Sequence, residues 1–160
     1  MNKTAAAVTS VASVLGAGLI GAQFGPQHPR EAIWYAALRK PDYTPPGPAI
    51  GVAWGVLETL LAIAGYRLLT QRSTGARGAA LAGWAATLGG LAGYPAMFFG
   101  AKQLGSSAAV ATGMMTATTA TAVTATRVDP VAAAAMAPLV VWTAFAVLLS
   151  EEVWRRNRTG

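Results

Sequence analysis

The chain has 160 residues, of which 54% are hydrophobic and only 11% charged, with 12 Lys or Arg against 6 Asp or Glu and a net charge of +6. A soluble domain carries about 25% charged residues, so the composition argues against a water-soluble domain and for lipid as the solvent, at a length that suits one domain. The basic excess does not read as a nucleic-acid surface, because it comes in small groups between long apolar runs, and the lack of cysteine excludes disulfides and thiolate chemistry.

A bilayer core needs roughly 20 apolar residues per helix. The first such run covers residues 5–24. A cleaved signal peptide is the competing reading. With Ala22 last, however, Ile20 falls where a small residue is wanted, so a retained span is expected. His28, the one histidine, lies in the Pro-flanked loop that follows and reads as a solvated loop residue. Arg30 to Lys40 can form a short amphipathic helix with Ile33, Trp34 and Leu38 on its apolar side, ended by Pro41. Its aromatic residues suit either an interface anchor or a lid over a cavity.

The second run, 48–69, is interrupted by Glu58. An acid at that depth is expected to face the bundle interior in its neutral form, because burial disfavours the charge. Trp54 lies four residues earlier, on the same side. Arg67 and Arg72, at the helix end, read as anchors that snorkel to the interface, and Leu61, Tyr66 and Arg72 fit the loose pattern proposed for cholesterol contact. Ser73-Thr74-Gly75 reads as a turn. The third run, 78–101, carries Trp84, Leu91 and Tyr94 broadly on one side and Ala82, Ala85, Ala86, Gly89 and Gly93 on the other. The smooth side offers a partner backbone a close approach, which is read as a homodimer interface through Ala82, Ala86, Gly89 and Gly93. The alternative partner is the chain's own first helix, at Ala17 and Gly21.

Gly105-Ser106-Ser107 reads as a turn before the fourth run, 105–126. Thr112, Thr116 and Thr119 there are read as bonded to their own helix carbonyls, with a polar path as the alternative. Gly51-x-x-x-Gly55 and Gly89-x-x-x-Gly93 read as close-packing motifs. Asp129-Pro130 reads as the N-cap and first residue of the fifth run, 130–150, which places Trp142, Phe145 and Leu149 on one face. The expected architecture is all-α: five transmembrane helices plus the short amphipathic helix, in one domain. The basic residues lean toward a cytoplasmic C-terminus.

The loop Trp34-Tyr35-x-x-Leu38-x-Lys40-Pro41-x-Tyr43-x-Pro45-Pro46, followed by Ala53-Trp54-Gly55-Val56-Leu57, resembles the TspO/MBR family signature. Phe98-Phe99-Gly100 resembles the family's third-helix ending, and Pro138-Leu139-Val140-Val141-Trp142 its fifth-helix motif. The chain departs from the pattern at several positions. Tyr43 and Tyr94 stand for tryptophans, Glu58 and Leu139 for tyrosines, and Leu91 and Ser150 for asparagines. The resemblance implies a bacterial-type membrane protein whose intrabundle cavity binds a porphyrin, tetrapyrrole or related hydrophobic ligand for transport, sensing or regulation, with no required cofactor. It points to Trp34, Tyr43, Pro46, Trp54, Glu58, Leu91, Tyr94, Phe98, Leu139, Trp142 and Phe145 as ligand-binding residues. Two other functions stay open. One is light- or oxygen-dependent porphyrin breakdown at Trp54 and Trp142; the other is proton-coupled transport through Glu58. No nucleophile, base pair or metal cluster in the sequence supports hydrolytic or metal chemistry.

Overall fold

The computed structural model describes residues 1–158, and among them the regular structure is entirely helical. Helix α1 spans Lys3–Ala22, with the Asn2 carboxamide oxygen accepting from the Ala5 amide at 2.7 Å as its cap. Helix α2 is Pro29–Ala37, with proline in its first turn, where the missing N–H does no harm. It is shorter than the expected Arg30 to Lys40, since the chain is already extended at Leu38. The Lys40 ammonium donates to the carbonyls of Tyr35 and Leu38 at 2.6 and 3.0 Å where the helix ends. Ile33, assigned to the apolar side, is 73% exposed; Trp34 and Tyr35 are the residues that turn inward.

Helix α3 is Gly47–Thr70 and α4 is Gly75–Pro95, with Thr74 as its N-cap. The Arg77 guanidinium reaches back to the last carbonyls of α3, Leu68 at 2.8 Å and Leu69 at 3.1 Å, so the turn here is stapled as well as short. Pro95 has no N–H to give the Leu91 carbonyl, and the chain widens at once into a π-helical turn, Ala96–Gly100. Gly21 of α1 packs against this point, where a Cβ would come 3.0 Å from the Leu91 oxygen. The following turn, Ala101–Gln103, holds Lys102 in a left-handed conformation at φ 56°. Helix α5 is Leu104–Ala125, so Gly105, Ser106 and Ser107 lie inside a helix rather than forming the expected turn. Helix α6 is Pro130–Asn157, capped by Asp129 and running well past Ser150.

Around the bundle the long helices neighbour one another in the order α1, α3, α6, α5, α4, with α4 closing back on α1. Three of them, α1, α3 and α6, are long and apolar enough to cross a membrane. One end of the bundle is packed solid. There Leu61, Ala64, Leu68, Ala80, Ala132 and Met136 are fully or almost fully buried, and the Trp84 indole donates to the Leu61 carbonyl at 2.9 Å. Gly65 has no room for a Cβ, since the Trp84 ring and the Ser10 hydroxyl occupy that space. Leu61 is 1% exposed, so Leu61, Tyr66 and Arg72 do not form the continuous lipid-facing strip that a cholesterol motif needs.

Polar groups at this end are paired. Asp129 accepts from the Arg67 guanidinium at 2.7 and 3.2 Å, from the Gln71 carboxamide at 2.6 Å and from the Ala132 amide at 2.9 Å. Burial works against ionising Asp129. The hydrogen bond from Arg67, the backbone amides and the guanidinium charge outweigh that, and its carboxyl lies below the usual range. Arg67 is thus an ion-pair partner tying α3 to α6, not a free snorkelling anchor. Thr112 and Thr116 donate to Ala108 and Thr112 carbonyls of their own helix at 2.9 Å and lie on its exposed side, so they line no polar path. The buried threonines among the described residues are Thr87, Thr118, Thr121 and Thr143.

Candidate functional site

The other end of the bundle is hollow. A cavity of about 430 Å³ opens between the C-terminal halves of α1, α4 and α6 and the N-terminal halves of α3 and α5, within the range of small-molecule sites. Gly18, Gly21, Gly51 and Gly90 are among its lining residues, and aromatic side chains furnish its walls. On the α3–α6 side the Trp54 and Trp142 rings meet edge to face at 6.2 Å, and Phe145 lies 5.7 Å from Trp142. Opposite, Tyr94 and Phe98 stack at 5.5 Å with planes 18° apart. The Tyr94 hydroxyl and the Ser150 hydroxyl share a hydrogen bond of 2.9 Å that bridges α4 and α6.

Helix α2 lies over the mouth. Its Tyr35 lines the cavity, edge-on to Phe98 at 6.1 Å and tilted against Phe99 at 5.6 Å, and burial pushes its hydroxyl pKa upward. The loop beyond α2 is tied down by Asn157, whose carboxamide accepts from the Arg39 amide at 3.0 Å and donates to the Arg39 carbonyl at 2.9 Å. The last turn of α6 therefore holds the lid segment by its backbone. That tie was invisible in the sequence, since it joins residues 118 apart and uses an asparagine outside every motif.

Seven of the eleven residues singled out from the sequence meet at this cavity: Trp54, Glu58, Leu91, Tyr94, Phe98, Trp142 and Phe145. Four do not. Trp34 sits behind the wall, edge-on to Phe98 at 5.5 Å with the Lys102 ammonium over its other side. Successive helical residues diverge by about 100°, so only one of Trp34 and Tyr35 can point down, and it is Tyr35. Tyr43 is 54% exposed and edges onto Phe145 from outside, where it lines a shallow outer groove between α3 and α6. Pro46 is the N-cap of α3. Leu139, 1% exposed, belongs to the packed core beyond the cavity floor. Tyr35, Phe99, Met114 and Leu149 also line the space. The Trp-Tyr pair and the Phe-Phe pair each carried the signal for one of these, but pointed equally at its neighbour.

The TspO/MBR family model matches residues 9–155. The chain is 33% identical to the translocator protein of Homo sapiens over 141 residues, 86% of this chain and 82% of that one. It is 32% identical to protein CrtK of Rhodobacter capsulatus over 160 residues, 98% of this chain and 95% of that one. With the tryptophan-rich sensory protein of Cereibacter sphaeroides it shares 31% identity over 124 residues, 78% of this chain and 77% of that one. A match over nearly the whole length, on a helical scaffold with apolar membrane-crossing helices, makes this chain a membrane protein of the TspO/MBR family.

Proposed function

We propose that the chain crosses the membrane five times and binds a porphyrin, tetrapyrrole or related flat hydrophobic ligand in the cavity, serving transport, sensing or regulation. Helices α4 and α5 have 21 and 22 residues, enough for a bilayer core. Their alanine, glycine and threonine content lowers hydropathy, but five of the six threonines of α5, all but Thr119, give their hydroxyls to carbonyls of the same helix, which reduces the penalty of entering lipid. Of the basic residues, Arg30, Arg39, Lys40, Lys102, Arg155, Arg156 and Arg158 gather toward the mouth end, which favours that end, with the C-terminus, on the cytoplasmic side.

The observation that carries the binding reading is the cavity wall: aromatic faces from α3, α4 and α6 around a space of about 430 Å³, with few polar groups. Flat conjugated rings stack on such walls and leave water on entering them. Titrating the purified protein with a porphyrin panel tests it. Saturable quenching of tryptophan fluorescence is expected, weakened by Trp54→Leu and Trp142→Leu; quenching that rises linearly without saturation contradicts it. The edge-to-face Trp54–Trp142 pair on the wall favours one second reading, oxidative breakdown of the bound macrocycle under light and oxygen. Its signature is protein-dependent loss of porphyrin absorbance on illumination, absent in the two tryptophan variants.

A further inference from the structure

Glu58 is the deepest cavity residue of α3, one turn below Trp54. Gly18 of α1 faces it, where a Cβ would come 3.2 Å from the Glu58 Oε1, so the absence of a side chain there leaves the carboxyl its room. The ion pairs among the described residues are Arg67–Asp129 and Arg156–Glu152, and no side-chain hydrogen bond there ends on Glu58. No Lys, Arg or His lines the cavity; Glu58 is its one acidic side chain. The cavity floor thus combines a carboxyl without a protein partner and an aromatic wall headed by Trp54 and Trp142. These are the two elements that recognise an organic cation, a charge partner and ring faces that attract positive charge.

We propose that Glu58 makes this cavity selective for flat aromatic ligands that lead with a basic nitrogen, a protonated amine or ring nitrogen seated on the floor. This rests on the reading of the cavity as a hydrophobic-ligand site and adds the chemical class. A neutral acid facing a neutral amine and a carboxylate facing an ammonium are the same two groups sharing one proton, so the floor accepts the ligand in either form. An anionic group leading into the cavity meets the acid with no cation to offset it and is rejected. Anionic substituents must trail at the mouth, where Lys40 and Lys102 lie.

The test uses full-length protein in a nonionic detergent and three tricyclic probes of one shape, substituted at the central ring: aminoacridine, a cation near neutral pH; methylanthracene, neutral; and anthracenecarboxylate, an anion. Wild type is expected to bind the cation about tenfold more tightly than the neutral probe, and the anion more weakly than either. In Glu58→Gln the cation's advantage over the neutral probe is expected to shrink to about twofold. Equal affinity of cation and neutral probe in wild type, or a preference unchanged in Glu58→Gln, overturns the assignment and leaves the cavity reading standing. Should the variant fail to fold, the wild-type ranking decides alone. Saturable binding of none of the three overturns both.

Discussion

At the scale of single residues, glycines divide into those that are spaces and those that are surfaces. Gly65 is a space, filled by the Trp84 ring and the Ser10 hydroxyl. Gly65→Ala forces one of them to move and is expected to destabilise by about 1–3 kcal/mol, read as a lowered thermal midpoint. Gly55 has nothing near its missing side chain, so Gly55→Ala should leave the midpoint unchanged or raise it. The sequence pattern pointed the other way, because Gly51-x-x-x-Gly55 looks like a packing motif while Gly65 stands alone; which glycine is crowded depends on where another helix places its tryptophan. Glu58 gives a second prediction at this scale. An acid without a protein partner in an apolar span is expected to be neutral, so Glu58→Gln exchanges one neutral hydrogen-bonding group for another. It should shift unfolding by no more than about 0.5 kcal/mol. A loss of several times that would show Glu58 ionised and paired.

Between elements, the turn end of the bundle is held by Asp129, which caps α6 and ties it to α3 through Arg67 and Gln71. Its carboxyl is lower in the folded protein than the ordinary value of 3.8. A depressed acid stabilises the fold above its unfolded value, and that stabilisation is lost as pH falls through the folded one. Thermal midpoints should therefore fall on acidification below about pH 4, and Asp129→Ala should flatten that part of the profile while costing about 1–3 kcal/mol at neutral pH. The cap was legible in the Asp-Pro pair. The ion pair was not, because Arg67 and Asp129 are 62 residues apart and an arginine at a helix end has several equally good uses. Helix α4 leaves Ala82, Ala85, Ala86 and Gly89 exposed, with open space beside Gly89 and Gly93. Its contact with α1 runs instead through Leu91, Pro95 and Gly21, so the smooth side stays available for the proposed homodimer. Gly89→Leu with Gly93→Leu should convert a dimer to a monomer on sizing in detergent and leave ligand binding intact; an unchanged oligomeric state rules this face out.

For the whole molecule, the design is a bundle welded at one end and hollow at the other. The all-helical membrane architecture was legible from runs of apolar residues, since lipid allows few alternatives to a satisfied helix. The cavity was legible only through resemblance, because tryptophans at helical spacing fill a core as readily as they line a pocket. What separates Leu139, in the core, from Trp142, one turn away in the cavity, is what the neighbouring helices place opposite each, and periodicity within one helix cannot report that. Photo-cross-linking tests most directly the claim that this hollow end is the binding site. An apolar aromatic probe carrying a diazirine is activated on the purified protein, and the labelled peptides are mapped by mass spectrometry with and without excess porphyrin. Porphyrin-sensitive labelling is expected to concentrate at Trp54–Glu58 and Trp142–Leu149. Labelling confined to the outward positions Val8, Leu15 and Val141, unaffected by porphyrin, would contradict it.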